Sequence, residues 1–370
     1  MTHPSRATIR QMNILGIESS CDETAASVVQ DGRRLLSNVV NSQIDIHTKY
    51  GGVVPEVAAR SHIEVVNAVI EQALTDAKLD WDGIDAIAVT YAPGLVGSLL
   101  VGSLAARTLA LTKNKPLYKV HHVEGHVYAN FITETEVSGL LLPSSQPKFP
   151  MLALIVSGGH TQLVLFRDHG DYELLGQTQD DAVGEAFDKV AKILGLPYPG
   201  GPSVSRAALA GDAQKYPLPK AKMSGAYDYS FSGLKTAVLR AVQREVGVET
   251  SFPSFELPGL LNDLQRADFA ASFQRVAVET LVDKTVKAFQ HYSPASVVIA
   301  GGVAANTELR RQLADRLPIA IEYAPIALCT DNAAMIAALG YYYAQKQTAT
   351  DPRTMAVEPS LSMTQTVWNT

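Results

Sequence analysis

Cysteine is scarce in this sequence, and the two cysteines that occur are far apart. Cys21 and Cys329 are the only ones in 370 residues, and neither belongs to a CxxC pair. A disulfide framework and a cysteine-based zinc site therefore do not account for this chain. Because no signal peptide is apparent, we interpret both residues as reduced thiols and expect a cytoplasmic protein.

Long apolar runs and a surplus of basic residues are also missing. The apolar stretch from Leu95 to Leu111 is interrupted by Gly97, Gly102 and Arg107, whereas a membrane-spanning helix needs about 20 apolar residues. We therefore expect no membrane segment. Lys and Arg total 31 against 37 Asp and Glu, which gives a net charge of −6. Any contact with RNA then requires a local basic patch or a basic partner.

Two histidines follow an apolar run, Pro116 to Val120, that predicts a buried strand. If a helix begins there, His122 and His126 project from the same face, one turn apart. Neutral imidazole is the commonest metal ligand in proteins, so the pair can occupy two positions around one ion. The pair is not the HExxH motif of metalloproteases, because Val123 rather than Glu follows His122. The chain must supply a third ligand.

Three aspartates are candidates for that third ligand. Asp331 lies in the run Cys329 to Asn332, just before a predicted helix from Ala333 to Gln347. A helix N-cap is the plain interpretation of this position. With the two histidines, however, Asp331 would complete a 2-His-1-carboxylate set, which is typical of iron and zinc sites with open positions. Asp22 and Asp188 are the competing candidates.

An internal repeat indicates a duplicated domain. An apolar strand, a small polar turn and a second apolar strand occupy residues 13–29, and the same pattern returns at 151–166. Helical patterns alternate with the apolar strands, which favours an α/β fold with mixed sheets. A proline-rich loop, Ser138 to Pro150, separates the two halves. The paired glycines of the second turn, Gly158 and Gly159, can present backbone N–H groups to an anion.

Further patterns occur in the second half. Asp180 is the predicted N-cap of a helix that runs to Leu194, and Ile319 to Tyr323 is a predicted strand. The stretch from Lys215 to Arg244 is the densest basic region, and aromatic residues are interleaved within it. Such a mixture can hold a phosphate backbone and stack bases, although a solvated surface loop is an equally good interpretation.

A series of short motifs, taken in order, resembles one known family. The motifs are Gly16 to Thr24 (GIESSCDET), Tyr50 to Glu56 (YGGVVPE), Pro93 to Val101 (PGLVGSLLV), His121 to His126 (HHVEGH), Val156 to Gln162 (VSGGHTQ), Gly184 to Lys189 (GEAFDK), Tyr198 to Pro202 (YPGGP), Phe231 to Thr236 (FSGLKT), Ala300 to Asn306 (AGGVAAN) and Cys329 to Asn332 (CTDN). They resemble the bacterial tRNA N6-adenosine threonylcarbamoyltransferases, formerly described as O-sialoglycoprotein endopeptidases. The resemblance extends from about Asn13 to Tyr342, and only Phe252 to Asp263 and the N-terminal extension lack a matching motif.

The resemblance implies the actin/hexokinase/Hsp70-like (ASKHA) fold. This is an α/β fold in which two duplicated ribonuclease-H-like domains enclose a nucleotide cleft. We place the first domain at residues 12–140 and the second at 150–330. We expect the helix at 331–347 to pack back toward the first domain, and residues 1–11 and 348–370 to be tails.

The same resemblance implies an acyl transfer to tRNA. The threonylcarbamoyl group of threonylcarbamoyl-AMP would pass to N6 of the adenosine 3′ of the anticodon, in tRNAs that read ANN codons. One divalent metal, iron (Fe²⁺) first and zinc second, would bind His122, His126 and Asp331. The implied donor-binding positions are Ile155, Val156, Ser157, Gly158, Gly159, Asp188, Gly201 and Asn306. AMP is a good leaving group, so little acid catalysis is needed. Asp22, on the first polar turn, is our candidate to guide or deprotonate the attacking amine.

Partners and alternative functions follow from the same comparison. Family members work with a catalytically silent relative of the same fold and a small P-loop ATPase, and the acidic chain alone should bind tRNA weakly. An ASKHA-type sugar or acetate kinase is one alternative, but it gives the histidine pair no role. A metallopeptidase would need a glutamate after His122. A non-enzymatic scaffold that holds nucleotide has no use for a metal cluster.

Overall fold

A mixed β-sheet forms the centre of the first half of the chain. The computed structural model describes residues 11–321 and 323–365. The strands of this sheet are β1 (Asn13–Glu18), β2 (Glu23–Gln30), β3 (Arg34–Ser42), β4 (Ala86–Ala92), β5 (Leu117–His121) and β6 (Glu134–Thr135), and the helices between them are α1 (Ile44–Thr48), α2 (Pro55–Asp76), α3 (Val96–Thr112) and α4 (His122–Tyr128).

The pairing of these strands brings the ends of β1, β4 and β5 together. The order across the sheet is β5-β4-β1-β2-β3-β6. β1 pairs antiparallel with β2 and parallel with β4, and β4 pairs parallel with β5. Every residue of β4 is buried, as expected for a parallel strand covered on both faces. The carboxyl ends of β1, β4 and β5 therefore lie at one edge, where α4 begins.

The second half repeats this arrangement. Its sheet contains β7 (Met151–Val156), β8 (Thr161–Asp168), β9 (Asp171–Gln177) and β10 (Ser296–Ala300), in the order β10-β7-β8-β9. The helices are α5 (Val183–Leu194), α6 (Gly200–Ala208), α7 (Ser232–Glu245), α8 (Asp263–Tyr292), α9 (Thr307–Arg316) and α10 (Ile326–Cys329). β7 pairs antiparallel with β8 and parallel with β10, as β1 does with β2 and β4. The predicted duplication is confirmed, and the fold is of the ASKHA type.

The last long helix, α11 (Ala333–Lys346), returns from the second half and packs against the first sheet. Two glycines allow this close approach. A Cβ added at Gly16 would lie 2.3 Å from the Ala333 carbonyl oxygen, and one added at Gly340 would lie 2.5 Å from the Ala88 Cβ. Both distances are shorter than any tolerated contact, so glycine is required where α11 crosses β1 and β4. The start of α11 is thereby held beside α4.

The segment after α11 lies along the first sheet and is anchored to it. The Thr350 N–H donates to the Leu117 carbonyl over 2.7 Å, and the Met355 side chain is 5% exposed, within the core between α2, α3 and the sheet. These residues belong to the range expected to be a C-terminal tail. The other parts of the predicted tails, residues 1–10 and 366–370, lie outside the described residues.

The same segment then contacts both halves of the chain. The Leu361 carbonyl accepts a hydrogen bond from His121 Nε2 over 3.1 Å, next to the predicted metal ligands. Two residues later the Met363 carbonyl accepts one from the Tyr172 hydroxyl of β9 over 3.0 Å. Residues 350–363 therefore connect the edge of the first sheet to the second. No helix among the described residues is long and apolar enough to cross a membrane.

Two local predictions were wrong. Ile319 to Tyr323 is not a strand in its described residues, because no described strand pairs with it and the Tyr323 hydroxyl instead donates to the Arg310 carbonyl of α9 over 3.2 Å. Asp180 does not cap the helix that follows it, since α5 begins after Ala182. Its carboxylate instead accepts hydrogen bonds from the backbone N–H groups of Phe231 and Ser232, at the start of α7.

The basic stretch from Lys215 to Arg244 does not present its aromatic residues to solvent. Tyr229 and Phe231 are fully buried and Tyr227 is 9% exposed. These rings are part of the core of the second half, so they are not available to stack on bases. β3 and β9 were not foreseen, because both are half-exposed strands with weak apolar character.

Candidate metal centre and donor site

α4 presents two histidines at one end of the first sheet. It begins directly after β5 and holds His122 and His126 one turn apart, as the spacing predicted. The side chains are buried, at 7% and 2% exposure, and their ring centroids are 4.6 Å apart. Two imidazoles so close together can bind one ion without rearrangement of the helix.

Asp331 meets this pair from the other end of the sequence. Its Oδ1 lies 3.2 Å from His126 Nε2 and 3.5 Å from His122 Nε2. The N-cap interpretation of Asp331 is wrong, because Asn332 caps α11 by accepting a hydrogen bond from the Met335 N–H over 3.2 Å. The Asp331 carboxylate is therefore free to face the imidazoles.

The three side chains fit a divalent metal. One ligating atom from each lies within 4.8 Å of the others, and His122, His126 and Asp331 are the group of this kind found among the described residues. Neither ring nitrogen of the buried His126 has a hydrogen-bond partner with acceptable geometry in that part of the chain. Unpartnered buried polar atoms are costly, and two imidazoles with one carboxylate are a typical donor set for iron or zinc. Neither Asp22 nor Asp188 belongs to the group.

The charges in this cluster are strongly coupled. Burial would lower the pKa of His122, but the carboxylates of Asp331 and Glu18 hold it well above its usual range. Burial would likewise raise the pKa of Asp331, and His122 and His126 hold it well below the ordinary value. The metal-free protein therefore keeps an ion pair here. A bound cation would take the place of the proton on His122.

A fourth side chain, Glu18, belongs to the site and was missed by sequence reasoning. It is fully buried at the end of β1, and its Oε2 lies 3.0 Å from His122 Nδ1. Its other contacts are with the Thr90 hydroxyl and the Ser20 N–H, both at 2.5 Å. The signal was a carboxylate that ends an otherwise apolar strand, within the motif Gly16 to Thr24.

The turn after β1 carries more acidic groups. Burial, followed by the neighbouring charges of Asp331 and Asp22, raises the pKa of Glu23 to about 9. The Ser42 hydroxyl donates to Glu23 Oε1 over 3.2 Å, and the backbone carbonyl of Asp22 accepts from the Gln43 N–H over 3.0 Å. Burial also raises the pKa of the Cys21 thiol far above its usual value. Cys21 is therefore held as a neutral thiol.

The matching turn after β7 has free space above its two glycines. The Ser157 N–H and the His160 carbonyl close it over 2.8 Å, and a Cβ added at Gly158 or Gly159 would meet nothing within 4 Å. The turn lies directly against α5, because a Cβ at Gly184 would be 2.5 Å from the Ser157 carbonyl oxygen. Exposed backbone at two adjacent glycines suits an anion such as a phosphate.

The other predicted donor-binding residues differ in whether their side chain or only their backbone is accessible. Ile155 and Val156 are fully buried in β7, so only their backbone can contribute to a site. Asp188 Oδ1 accepts a hydrogen bond from the Gly200 N–H over 2.6 Å, at the start of α6. Space is open above Gly201. The backbone at this helix start is therefore accessible and is fixed by a carboxylate.

Asn306 is largely occupied inside the protein. Its Oδ1 caps α9 by accepting from the Leu309 N–H over 3.0 Å. Its Nδ2 donates to Ser205 Oγ and Gln274 Oε1, at 3.1 and 3.0 Å. These contacts join α9, α6 and α8 beside the junction of β10 and α9. The described contacts of Asn306 thus hold three helices together.

Comparison with known proteins shows the family to which this chain is similar. The family model TsaD, tRNA N6-adenosine threonylcarbamoyltransferase, matches residues 34–338. A protein of that name from Thermomicrobium roseum is 51% identical over 350 residues, which cover 92% of this chain and 94% of that protein. One from Symbiobacterium thermophilum is 54% identical over 332 residues, covering 89% and 91%.

One solved structure supports the fold independently. The crystal structure of T. kodakarensis HypF superposes with a TM-score of 0.60 at 13% identity, over 90% of this chain and 48% of that one. At this identity the likeness bears on the fold alone. With a family match over most of the sequence and relatives at about half identity along nearly their full length, the chain belongs to the tRNA N6-adenosine threonylcarbamoyltransferase family.

Proposed function

We propose that this chain is an acyltransferase that modifies tRNA. It transfers the threonylcarbamoyl group of threonylcarbamoyl-AMP to N6 of the adenosine 3′ of the anticodon, in tRNAs that read ANN codons, and releases AMP. The observation that carries the proposal is the 51% identity to a named threonylcarbamoyltransferase along 94% of its length. Because its substrate is tRNA, the reaction belongs in the cytoplasm.

The reaction joins an amine to the carbonyl of a mixed anhydride. The N6 nitrogen forms a bond to the carbamoyl carbon, and the bond from that carbon to the phosphate oxygen breaks. AMP leaves with the electron pair, and the amine proton passes to a base. Since the leaving group is good, the protein's tasks are to align the two substrates and to stabilise the charge that develops on the carbonyl oxygen.

One divalent metal, Fe²⁺ first and Zn²⁺ second, would be held by His122, His126 and Asp331. When bound, such an ion supplies Lewis-acid polarisation and a template for substrate oxygens. The chain itself fixes the ligand geometry. α4 holds both imidazoles on one face, and the cap made by Asn332 leaves Asp331 free to reach them.

The donor would lie between this cluster and the second half of the chain. The open N–H groups of Gly158 and Gly159 would hold its phosphate, with Ser157 and the backbone of Ile155 and Val156 fixing the turn. Asp188 and Gly201 would hold the nucleoside at the start of α6. Asn306 would contribute by keeping α6, α8 and α9 in place.

Asp22 is the group that we place beside the attacking amine. It lies on the turn after β1, next to a Glu23 that stays protonated at neutral pH because its pKa is raised to about 9. The Asp22 side chain is half-buried on that turn. It can therefore accept a proton from N6 or orient the amine.

Partners would supply part of the tRNA surface. The net charge of −6 disfavours unaided binding to an extended phosphate backbone, and the buried aromatic residues of the basic stretch are not available to stack on bases. A catalytically silent relative of the same fold and a small P-loop ATPase are the proposed partners. Tight, salt-sensitive binding of tRNA by the isolated chain would contradict this.

A defined reconstitution tests the function. The metal-loaded chain, the two proposed partner proteins and pre-made threonylcarbamoyl-AMP are incubated with an unmodified tRNA transcript that reads an ANN codon. Nuclease digestion and mass spectrometry should reveal threonylcarbamoyladenosine, and a transcript with guanosine at that position should stay unmodified. Absence of the modified nucleoside, although each partner is shown to be folded, would overturn the proposal.

A further inference from the structure

We infer that Glu18 is a positioning residue for the metal centre, which sets the orientation and the protonated nitrogen of His122. The inference rests on the proposed metal site and extends it to a side chain outside the ligand set. Glu18 is completely buried, yet it lies at the end of a strand whose other residues are almost all apolar. A carboxylate in such a place is costly unless its oxygens are satisfied.

Every contact of Glu18 is with a hydrogen-bond donor. Oε1 accepts from the Ser20 N–H over 2.5 Å. Oε2 accepts from the Thr90 hydroxyl over 2.5 Å and lies 3.0 Å from His122 Nδ1. Because β1 and β4 are parallel neighbours, Thr90 is brought beside Glu18 by the sheet itself. The carboxylate is therefore fixed by backbone and hydroxyl groups before it meets the imidazole.

This arrangement determines which nitrogen of His122 faces the ligand set. An ionised carboxylate only accepts hydrogen bonds, so Nδ1 must be the donor. In the neutral ring, Nε2 then carries the lone pair, and Nε2 is the atom that lies 3.5 Å from Asp331. A carboxylate that holds the outer nitrogen of a ligating histidine fixes its tautomer and strengthens it as a ligand. His126 lacks such a partner, since its Nδ1 has none in the described part of the chain.

The chain offers a matched control on α4 itself. Glu124 is also fully buried and lies between the two histidines in sequence. Its Oε2 accepts a hydrogen bond from the Tyr343 hydroxyl over 3.0 Å. Glu18→Gln and Glu124→Gln therefore make the same substitution at two buried positions of one region, and only the first changes a side chain that contacts His122.

The test is the affinity of each variant for Zn²⁺ and Co²⁺, measured by competition with a chromophoric chelator and without tRNA or donor. We expect Glu18→Gln to weaken binding about ten- to a hundredfold and to shift the visible absorption of the Co²⁺ form. Glu124→Gln should leave both unchanged. Equal affinity of Glu18→Gln and the parent protein, or equal losses in both variants, would overturn the inference.

Two further measurements keep the outcomes distinct. If Glu18→Gln does not fold, Thr90→Val removes one hydrogen bond that fixes the carboxylate, and it should weaken Zn²⁺ binding by a smaller factor; no change would count against the inference. A purely structural role would lower the urea midpoint of the chelated protein without changing metal affinity.

If the parent protein binds neither ion, the metal site and this inference both fail. If it binds metal but transfers nothing, only the proposed function fails.

Discussion

Asp331 Oδ1 lies 3.2 Å from His126 Nε2, although the two residues are in opposite parts of the sequence. The contact exists because α4 begins at the edge of the first sheet and α11 returns from the second half to pack on that same sheet. Two glycines, Gly16 and Gly340, make this return close enough. The ligand set is thus a product of how the halves are joined.

Loss of one imidazole should remove the metal. His126→Ala leaves two of three ligands, so the protein should lose most of its bound iron or zinc in elemental analysis. Transfer from pre-made threonylcarbamoyl-AMP should fall on the order of 10²–10³-fold, as for loss of a group that stabilises charge on a reacting carbonyl. His291→Ala, at an exposed position, is the control and should change neither. Full retention of metal and activity by His126→Ala would exclude the proposed ligand set.

Asp22→Asn should separate chemistry from metal binding. If Asp22 receives the amine proton, single-turnover transfer should slow by about 10²–10⁴-fold, while metal content stays at the parental value. The control is Asp45→Asn, an exposed carboxylate on the neighbouring α1, which should transfer normally. An unchanged rate in Asp22→Asn would show that another group takes the proton.

Two glycine substitutions should differ in their effects, one on stability and the other on donor binding. A Cβ at Gly184 would be 2.5 Å from the Ser157 carbonyl oxygen, whereas one at Gly201 would meet nothing within 4 Å. We expect Gly184→Ala to lower the free energy of unfolding by about 1–3 kcal/mol because of overpacking. Gly201→Ala should keep its stability and raise the KM for the donor. Urea titration and donor kinetics measure both effects, and a Gly201→Ala protein with an unchanged KM would argue against a donor contact there.

Met355 should contribute strongly to stability although it lies near the end of the chain. Its side chain is 5% exposed and packs in the core between α2, α3 and the first sheet. Met355→Ala should lower the free energy of unfolding by about 2–5 kcal/mol. Leu141→Ala, at a side chain 89% exposed, should stay within about 0.5 kcal/mol of the parent protein. Equal urea midpoints for the two variants would mean that residues 350–363 do not stay packed in solution.

His169 should make stability depend on pH. Burial lowers its pKa to about 4, with Asp168 opposing the shift and Lys346 adding to it. Its ring stacks on Tyr342 at 3.9 Å. Below about pH 6.5 the unfolded chain takes up a proton that the folded protein does not. The contribution of neutral His169 is therefore complete above about pH 6.5 and is lost as the pH falls toward about 4.

The measurement for His169 is the urea midpoint of chelated protein at pH 7 and pH 5. His169→Gln should show a smaller decrease between the two values than the parent protein, and His291→Gln should show the parental decrease. Chelation leaves the same metal-free cluster in all three proteins, so its own titration cancels in the comparison. An identical decrease in all three would mean that His169 is protonated at pH 5.

Much of the site could be predicted because its signals are local. The spacing of His122 and His126 and the run before them define a helix face in a few residues, and Asp331 was one of three candidate carboxylates because it precedes a predicted helix. The repeat of strand, turn and strand gave the duplication. These patterns need only the periodicity of helices and strands.

The parts that could not be predicted depend on contacts between distant elements. Glu18 reaches His122 only because β1, β4 and β5 are parallel neighbours, and no local sequence pattern indicates this order of strands in the sheet. Asp180 does not cap the helix that follows it. Its carboxylate accepts a hydrogen bond at the start of α7, about fifty residues later in the sequence. Tyr229 and Phe231 were interpreted from their basic surroundings, yet their burial is decided by α8 and the second sheet.

The separation of His126 from Asp331 along the chain also bears on synthesis. A nascent polypeptide exposes both imidazoles early, but the carboxylate emerges from the ribosome only when most of the second half has already been made. Until α11 has docked on the first sheet, the histidine pair lacks its third ligand. With the proposed ligand set, metal capture would therefore be one of the last events in the maturation of the protein.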